Sequence, residues 1–204
     1  MSIKGFFKDL FRPSHDPSDL ETKMSIKDAL EDPNTFDFNE DYYRQIEFLP
    51  KENLDNVSKT ANEITEFSET NFAVYGWWGS YVRSEFGFPT LNRNIPIIEI
   101  ERLFLERKYF QFKRVTKSQS ITTTVQRNTK AFKHGSIAIC FNYKDDKVEN
   151  LWLNLPPDLK DYVEYKEILT LLGNKYSFLL ADWWKSVIID ISKENQIEAY
   201  LNAE

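Results

Sequence analysis

The run Gly135–Leu153, GSIAICFNYKDDKVENLWL, decides how this chain is read. In extended backbone Ile137, Ile139, Phe141 and Tyr143 fall on one face, and Ser136, Ala138, Cys140 and Asn142 on the other. One face therefore belongs to a core, and the opposite one is covered lightly or wet. Lys144-Asp145-Asp146-Lys147 is a polar turn that leads into a second strand at Val148–Leu153. Upstream, Tyr109–Val115 and Ser120–Arg127 are rich in β-branched and aromatic residues, so the whole region reads as an antiparallel meander.

Working outward, the texture on both sides of the meander is mixed. Gln45–Leu49 is a strand with Ile46 and Phe48 on one face, ended by Pro50. Leu54, Val57, Ala61, Ile64 and Phe67 then recur at helical spacing, with Asp55, Lys59, Glu63 and Glu66 off that stripe. Val74–Arg83 returns to aromatic strand residues around Gly76 and Gly79, and 87–96 is a loop. Ile97–Arg107 fits either period and is assigned to a helix. Beyond Pro156-Pro157, a helix over Asp158–Leu172 with Gly173 as its cap is expected. Strands at Phe178–Trp183 and Val187–Ile191 follow, then a last helix capped by Ser192 and carrying Ile197, Tyr200 and Leu201. Strands in runs, with helices set apart from them, predict an α+β fold: a central antiparallel sheet with helices packed mainly on one side.

Near the N-terminus, Ile3, Phe6, Phe7, Leu10 and Phe11 form one apolar stripe flanked by Lys4, Lys8 and Arg12. That is a short amphipathic basic helix, stopped by Pro13, and peripheral membrane contact through residues 3–11 is one use for it. Residues 13–41 hold three prolines and nine acids and read as a loose stretch with one short helix near Ser25–Leu30. The expected organisation is thus an amphipathic helix and acidic linker over 1–40, followed by a single α+β domain over 41–204.

Charge is segregated along the chain. The formal net charge is −6, yet nine Lys and Arg and no Asp or Glu lie between Arg107 and Lys144. Such an island is either an internal electrostatic latch or a binding surface. Lys113, Arg114, Lys117, Arg127, Lys130 and Lys133, gathered on one sheet face with Thr122, Thr124 and Gln126, would form a basic, hydroxyl-rich patch suited to phosphate contacts, and Tyr109, Phe110 and Phe112 supply aromatics. A pI near 5.2 argues against a dedicated nucleic-acid module, which leaves a protein partner as the leading expectation and nucleic acid through 107–144 as the alternative. Trp77, Trp78 and Tyr81 are the candidate aromatic anchors for that partner. No apolar run reaches the roughly 18–20 residues of a spanning helix, and a cytoplasmic location is the default for a chain with a single cysteine.

The inventory for catalysis is short. Histidine occurs only at His15 and His134, and cysteine only at Cys140. Six residues of extended strand span roughly 20 Å, so a Cys140/His134 dyad would need a fold-back. Four Cys/His zinc ligands do not exist, and none of the glycine-rich phosphate motifs occurs, so no cofactor or metal is expected. Asp145-Asp146, Asp158/Asp161 and Asp182/Asp190 are paired carboxylates suited to acid/base work, as in a hydrolase. Turn and helix-end roles account for the first two pairs as well.

YRQIEFLP at 43–50 leading into the 53–67 helix, with the closing run Ala181-Asp182-Trp183-Trp184, Ile189-Asp190-Ile191 and Tyr200-Leu201, resembles small bacterial proteins of unknown function thought to be immunity proteins of polymorphic toxin systems. The resemblance covers about residues 41–202. It implies a non-enzymatic protein that neutralises a toxin by binding it, and it carries over no binding residue.

Overall fold

The computed structural model describes residues 23–24, 31–73, 76–77, 87–119, 122–156 and 162–203. The strands among them are β1 (Lys23–Met24), β2 (Thr35–Asn39), β3 (Ile46–Pro50), β4 (Phe72–Ala73), β5 (Gly76–Trp77), β6 (Phe110–Gln111), β7 (Arg114–Gln119), β8 (Thr122–Val125), β9 (Thr129–His134), β10 (Ile137–Lys144), β11 (Lys147–Asn154), β12 (Phe178–Asp182) and β13 (Val187–Asp190). The helices are α1 (Leu54–Asn71), α2 (Ile97–Glu106), α3 (Val163–Tyr176) and α4 (Glu194–Leu201). None of these is long and apolar enough to cross a membrane.

The β10–β11 hairpin forms where the alternation placed it. Asp145 and Asp146 both sit at positive φ, 49° and 57°, the backbone of a two-residue hairpin turn whose twist matches the flanking strands. β10 and β11 are the two predicted strands of a meander that β9 completes, and β3 inserts between β11 and the β12–β13 hairpin. The result is a seven-stranded sheet, β13-β12-β3-β11-β10-β9-β6, antiparallel throughout. A smaller sheet, β1-β8-β7-β2, contains one parallel pair, β2 with β7.

The two faces of the large sheet meet different layers. Ile139, Phe141, Leu151, Phe48 and Leu180 bury one face beneath Ile100 and Phe104 of α2, Ile168 and Leu172 of α3, and Ile197 of α4. Three of the four described helices thus lie on this side, as an α+β layering requires. On the reverse face, Leu49, Ala181 and Trp183 lie under Val57 and Ala61 of α1. Ala138, Cys140 and Trp152 on that face pack against Phe38 and Val115 of the smaller sheet. The face expected to be lightly covered or wet is therefore dry over Ala138 and Cys140. Small side chains there let a second sheet come close, whereas Asn142, farther along the same face, stays half-buried and bonds the Tyr43 hydroxyl.

Several boundaries differ from the sequence reading. Tyr109–Val115 is not one strand: it breaks at Phe112–Lys113, where the chain leaves the large sheet at β6 and enters the small one at β7. Within Ser120–Arg127, Thr122–Val125 form β8, Gln126 and Arg127 leave it, and Ser120 and Ile121 lie outside the described residues; β9, unpredicted because its lysines and histidine mask Ala131 and Phe132, completes the meander instead. The basic island consequently spans two sheets and not one continuous meander. Within the stretch expected to be loose, Thr35–Asn39 is a strand whose Asp37 accepts hydrogen bonds from the Thr116 and Ser118 hydroxyls at 2.6 and 2.7 Å.

Gly173 lies inside α3 and not at its end; the cap is Ser177, at φ 53°, whose N–H donates to the Gly173 carbonyl. Glycine serves another purpose at 173: a Cβ there would stand 1.9 Å from the Ile191 carbonyl oxygen, so its absence lets α3 touch the chain beyond β13. Ser192 does not cap α4, since its N–H and hydroxyl both donate to Asp190 Oδ1 and the N-cap position is Lys193. The amphipathic stripe at 3–11, the helix near 25–30, and Asp158 and Asp161 lie outside the described residues.

Candidate functional site

A groove opens where the two sheets part. Strands β6 and β7 diverge through Phe112–Arg114, β8 returns to β9 through Gln126–Asn128, and Tyr143 at the end of β10 closes one wall. The space has a volume of about 720 Å³. Lys113, Arg114, Arg127 and Lys130 line it, and none of its lining residues is acidic. Four of the six cations singled out from the island therefore converge, although two strands and two crossings carry them.

The wall is ordered by hydrogen bonds that hold its backbone and its aromatic ring. Lys113 and Arg114 donate their N–H groups to the Asn34 carbonyl at 2.8 and 3.2 Å, which ties the crossing to β2. The Tyr143 hydroxyl donates to the Arg127 carbonyl at 3.1 Å, and the Lys130 ammonium lies 5.7 Å from the centre of the Tyr143 ring. Acids outside the lining hold two of the cations: Glu101 of α2 takes Lys130, and Asp32 stands 3.6 Å from Arg114. Hydrogen bonds from the Asn34 N–H and the Thr35 hydroxyl keep the Asp32 carboxyl below the usual carboxylate range, so it stays ionised beside Arg114.

The remaining two cations of the set stand apart. Lys117 pairs with Glu40 at 2.9 Å, an internal latch between β7 and the turn after β2. Lys133 is exposed on β9, opposite Phe110, which is itself exposed on the edge strand β6. The island is thus both things that charge segregation allows: part latch, part surface. Trp77 is placed only by its backbone pairing with Phe72, and Trp78 and Tyr81 lie outside the described residues.

Sequence reasoning passed over one exposed anchor, Trp184. It follows β12, is 62% exposed, and leans on Tyr42 with ring centres 6.3 Å apart. Together they edge a notch of about 320 Å³ walled by Ile46, Leu153, Leu155 and Pro156. The signal was the Trp183-Trp184 pair, because consecutive residues leaving a strand diverge; Trp183 turns inward, donating from Nε1 to Glu47 at 2.9 Å, and Trp184 turns out.

The carboxylates and the dyad fare differently from the groove. Asp182 is buried and accepts from the Tyr200 hydroxyl at 2.7 Å and the Lys185 N–H at 3.2 Å. Asp190 lies on the opposite face of the hairpin, three residue positions along; burial alone would raise its pKa, but bonds from Lys51 and Ser192 lower it. The two do not form a pair. Asp145 and Asp146 are occupied in forming the hairpin turn. Cys140 is paired across from Ala131 on the reverse face, while His134 shares the helix-covered face with Phe132, so the sheet separates the dyad. Among the described residues no group of three or more His, Cys, Asp and Glu is arranged to hold a metal ion.

No protein-family model matches this chain, and no curated protein and no solved structure matches it.

Proposed function

We propose that this protein works by binding another protein, and that the groove between the sheets receives an acidic segment of that partner. The observation that carries the reading is the convergence of Lys113, Arg114, Arg127 and Lys130 on one cavity with no acid in its lining. A segment bearing carboxylates gains charge-assisted bonds there, and Phe112 and Tyr143 give its apolar groups somewhere to rest. The acidic remainder of the surface repels misdirected acidic segments, so charge orients the encounter as well as strengthening it. Neutralisation of a toxin domain, as in immunity proteins, is the biological setting we propose. It rests on the resemblance over 41–202.

The test is fluorescence anisotropy with two labelled probes, a Glu/Tyr-rich peptide and an oligothymidylate, against the wild type and a Lys113→Glu, Arg127→Glu variant. The peptide is expected to bind, to weaken with added salt, and to lose at least about tenfold in affinity in the variant. Peptide binding unchanged by the double reversal would sink the reading. Tighter retention of the oligonucleotide, with a steep salt dependence, would transfer the groove to nucleic acid. For the toxin setting, co-expression with the product of the adjacent gene should yield a one-to-one complex, and its absence refutes that setting alone.

A further inference from the structure

On the helix-covered side, away from the groove, three rings lead from the core to a second cavity. Phe104 of α2 is fully buried; Tyr109 lies 5.6 Å from it at an interplanar angle of 10°; His134 lies 4.2 Å from Tyr109 at 13°. The outer two rings line a space of about 780 Å³, within the range of small-molecule sites. Leu103, Val163 and Leu171 make its apolar wall, and Arg107, just past α2, stands at its margin.

The polar groups of this cavity are unevenly satisfied. Glu167 contacts His134 Nε2 at 2.7 Å, Lys166 is held by Glu198 at 2.9 Å and Glu194 at 3.6 Å, and Lys175 lies 3.3 Å from Glu99. Both acids of the lining, Glu167 and Glu194, are thus already engaged by cations or by the imidazole. Arg107 makes no ion pair, and the Tyr109 hydroxyl no hydrogen bond, among the described residues. A cavity with a parallel ring stack on one side, aliphatic walls, one uncommitted guanidinium and one uncommitted hydroxyl matches a planar apolar body carrying a single carboxylate.

We propose that this cavity binds a small aromatic acid, its ring lying among Leu103, Leu171 and His134 and its carboxylate meeting Arg107 and the Tyr109 hydroxyl. The site is independent of the groove and of the acidic partner assigned to it. Calorimetry with 1-naphthoate tests it, against 1-naphthylmethylamine, which reverses the charge, and cyclohexanecarboxylate, which removes the planarity. Naphthoate is expected to bind with a Kd of about 1 mM or tighter, the scale that ligand efficiency sets for a molecule of its size. The amine and the saturated acid should bind at least about tenfold more weakly. Arg107→Gln, a change at an exposed side chain, should weaken naphthoate by about tenfold, and Tyr109→Phe, which keeps the ring, should weaken it less. The Lys113→Glu, Arg127→Glu groove variant should bind naphthoate as the wild type does. Equal binding of acid and amine, indifference to Arg107→Gln, or no heat at probe concentrations of about 10 mM, tenfold above the expected Kd, would each overturn the assignment.

Discussion

Replacing Tyr200 with phenylalanine is the sharpest test of how the helix layer is held to the sheet. Tyr200 of α4 donates its hydroxyl to Asp182 Oδ2 at 2.7 Å, which leaves Tyr165 of α3 to donate to the Tyr200 oxygen at 2.9 Å. The two rings meet edge to face, and all three residues are at most 5% exposed. Removing one hydroxyl deletes a bond to a carboxylate, worth about 1.5–3 kcal/mol, and strands the Tyr165 proton at a further cost of about 1 kcal/mol. The ring remains, so no cavity adds to this, and a total loss of about 3 kcal/mol is expected. Tyr165→Phe breaks only the neutral bond and should cost about 1 kcal/mol. Urea unfolding followed by tryptophan fluorescence gives both numbers, provided the m-values agree with the wild type. A loss under about 1 kcal/mol for Tyr200→Phe, or an equal loss for the two variants, would refute the directed chain from Tyr165 through Tyr200 to Asp182. The same cluster sets an alkaline limit. Burial, first of all, pushes both phenols above their ordinary range, with the Asp182 charge adding to it. A folded-state pKa above the unfolded value near 10 means the contribution is whole below about pH 10 and is lost as pH rises through the folded value. The double Phe variant should therefore lose less stability between about pH 9 and 11 than the wild type does.

Three further outcomes follow from particular contacts. Gly173→Ala should destabilise by about 3 kcal/mol, because the new methyl meets the Ile191 carbonyl, although helix propensity alone favours alanine by about 1 kcal/mol; thermal melts that show stabilisation would remove the close-approach argument. Asp145→Asn combined with Asp146→Gly should raise stability by about 1 kcal/mol in the same melts, since both residues occupy left-handed backbone that Asn-Gly adopts more readily. Cys140 is fully buried and its thiol pKa is pushed well above the ordinary value by that burial, so an aromatic disulfide reagent should fail to label it until denaturant is added. Prompt labelling of the folded protein would show that the second sheet does not seal the Ala138–Cys140 face.

Much of the layer structure could be read from local pattern. The period-two run through Ile137, Ile139 and Phe141, the helical stripe through Val57 and Ala61, and the hairpin at Asp145-Asp146 are short-range signals, and each element forms where its pattern lies. Leu54, counted in that stripe, is 49% exposed, because α1 turns only its middle toward Ala181 and Trp183. Ile97–Glu106 resolves as a helix although its alternation fitted both periods; Ile100 and Phe104, four residues apart, are the two it buries. Strand β9 was hidden by its charges. An edge-proximal strand can carry lysine on either side of Ala131 and Phe132 when those two alone are buried.

The candidate groove was legible as charge and not as place. Composition and position alone determined that nine cations sit without an acid in the middle of an acidic chain, in a stretch that is mostly strand. Only the tertiary structure decided which of them meet. The break at Phe112–Lys113 sends β7 into a second sheet, Glu40 and Glu101 reach back from distant parts of the chain to Lys117 and Lys130, and the seam between sheets brings Lys113, Arg114, Arg127 and Lys130 to one cavity. Glu47 makes the same point in the core: its place on β3 was evident, but its burial depends on Arg44 at 2.7 Å and on the indole of Trp183, 136 residues away. Periodicity is a property of neighbours along the chain, whereas a charge is neutralised or exposed by whatever the fold sets beside it, and that is a long-range fact.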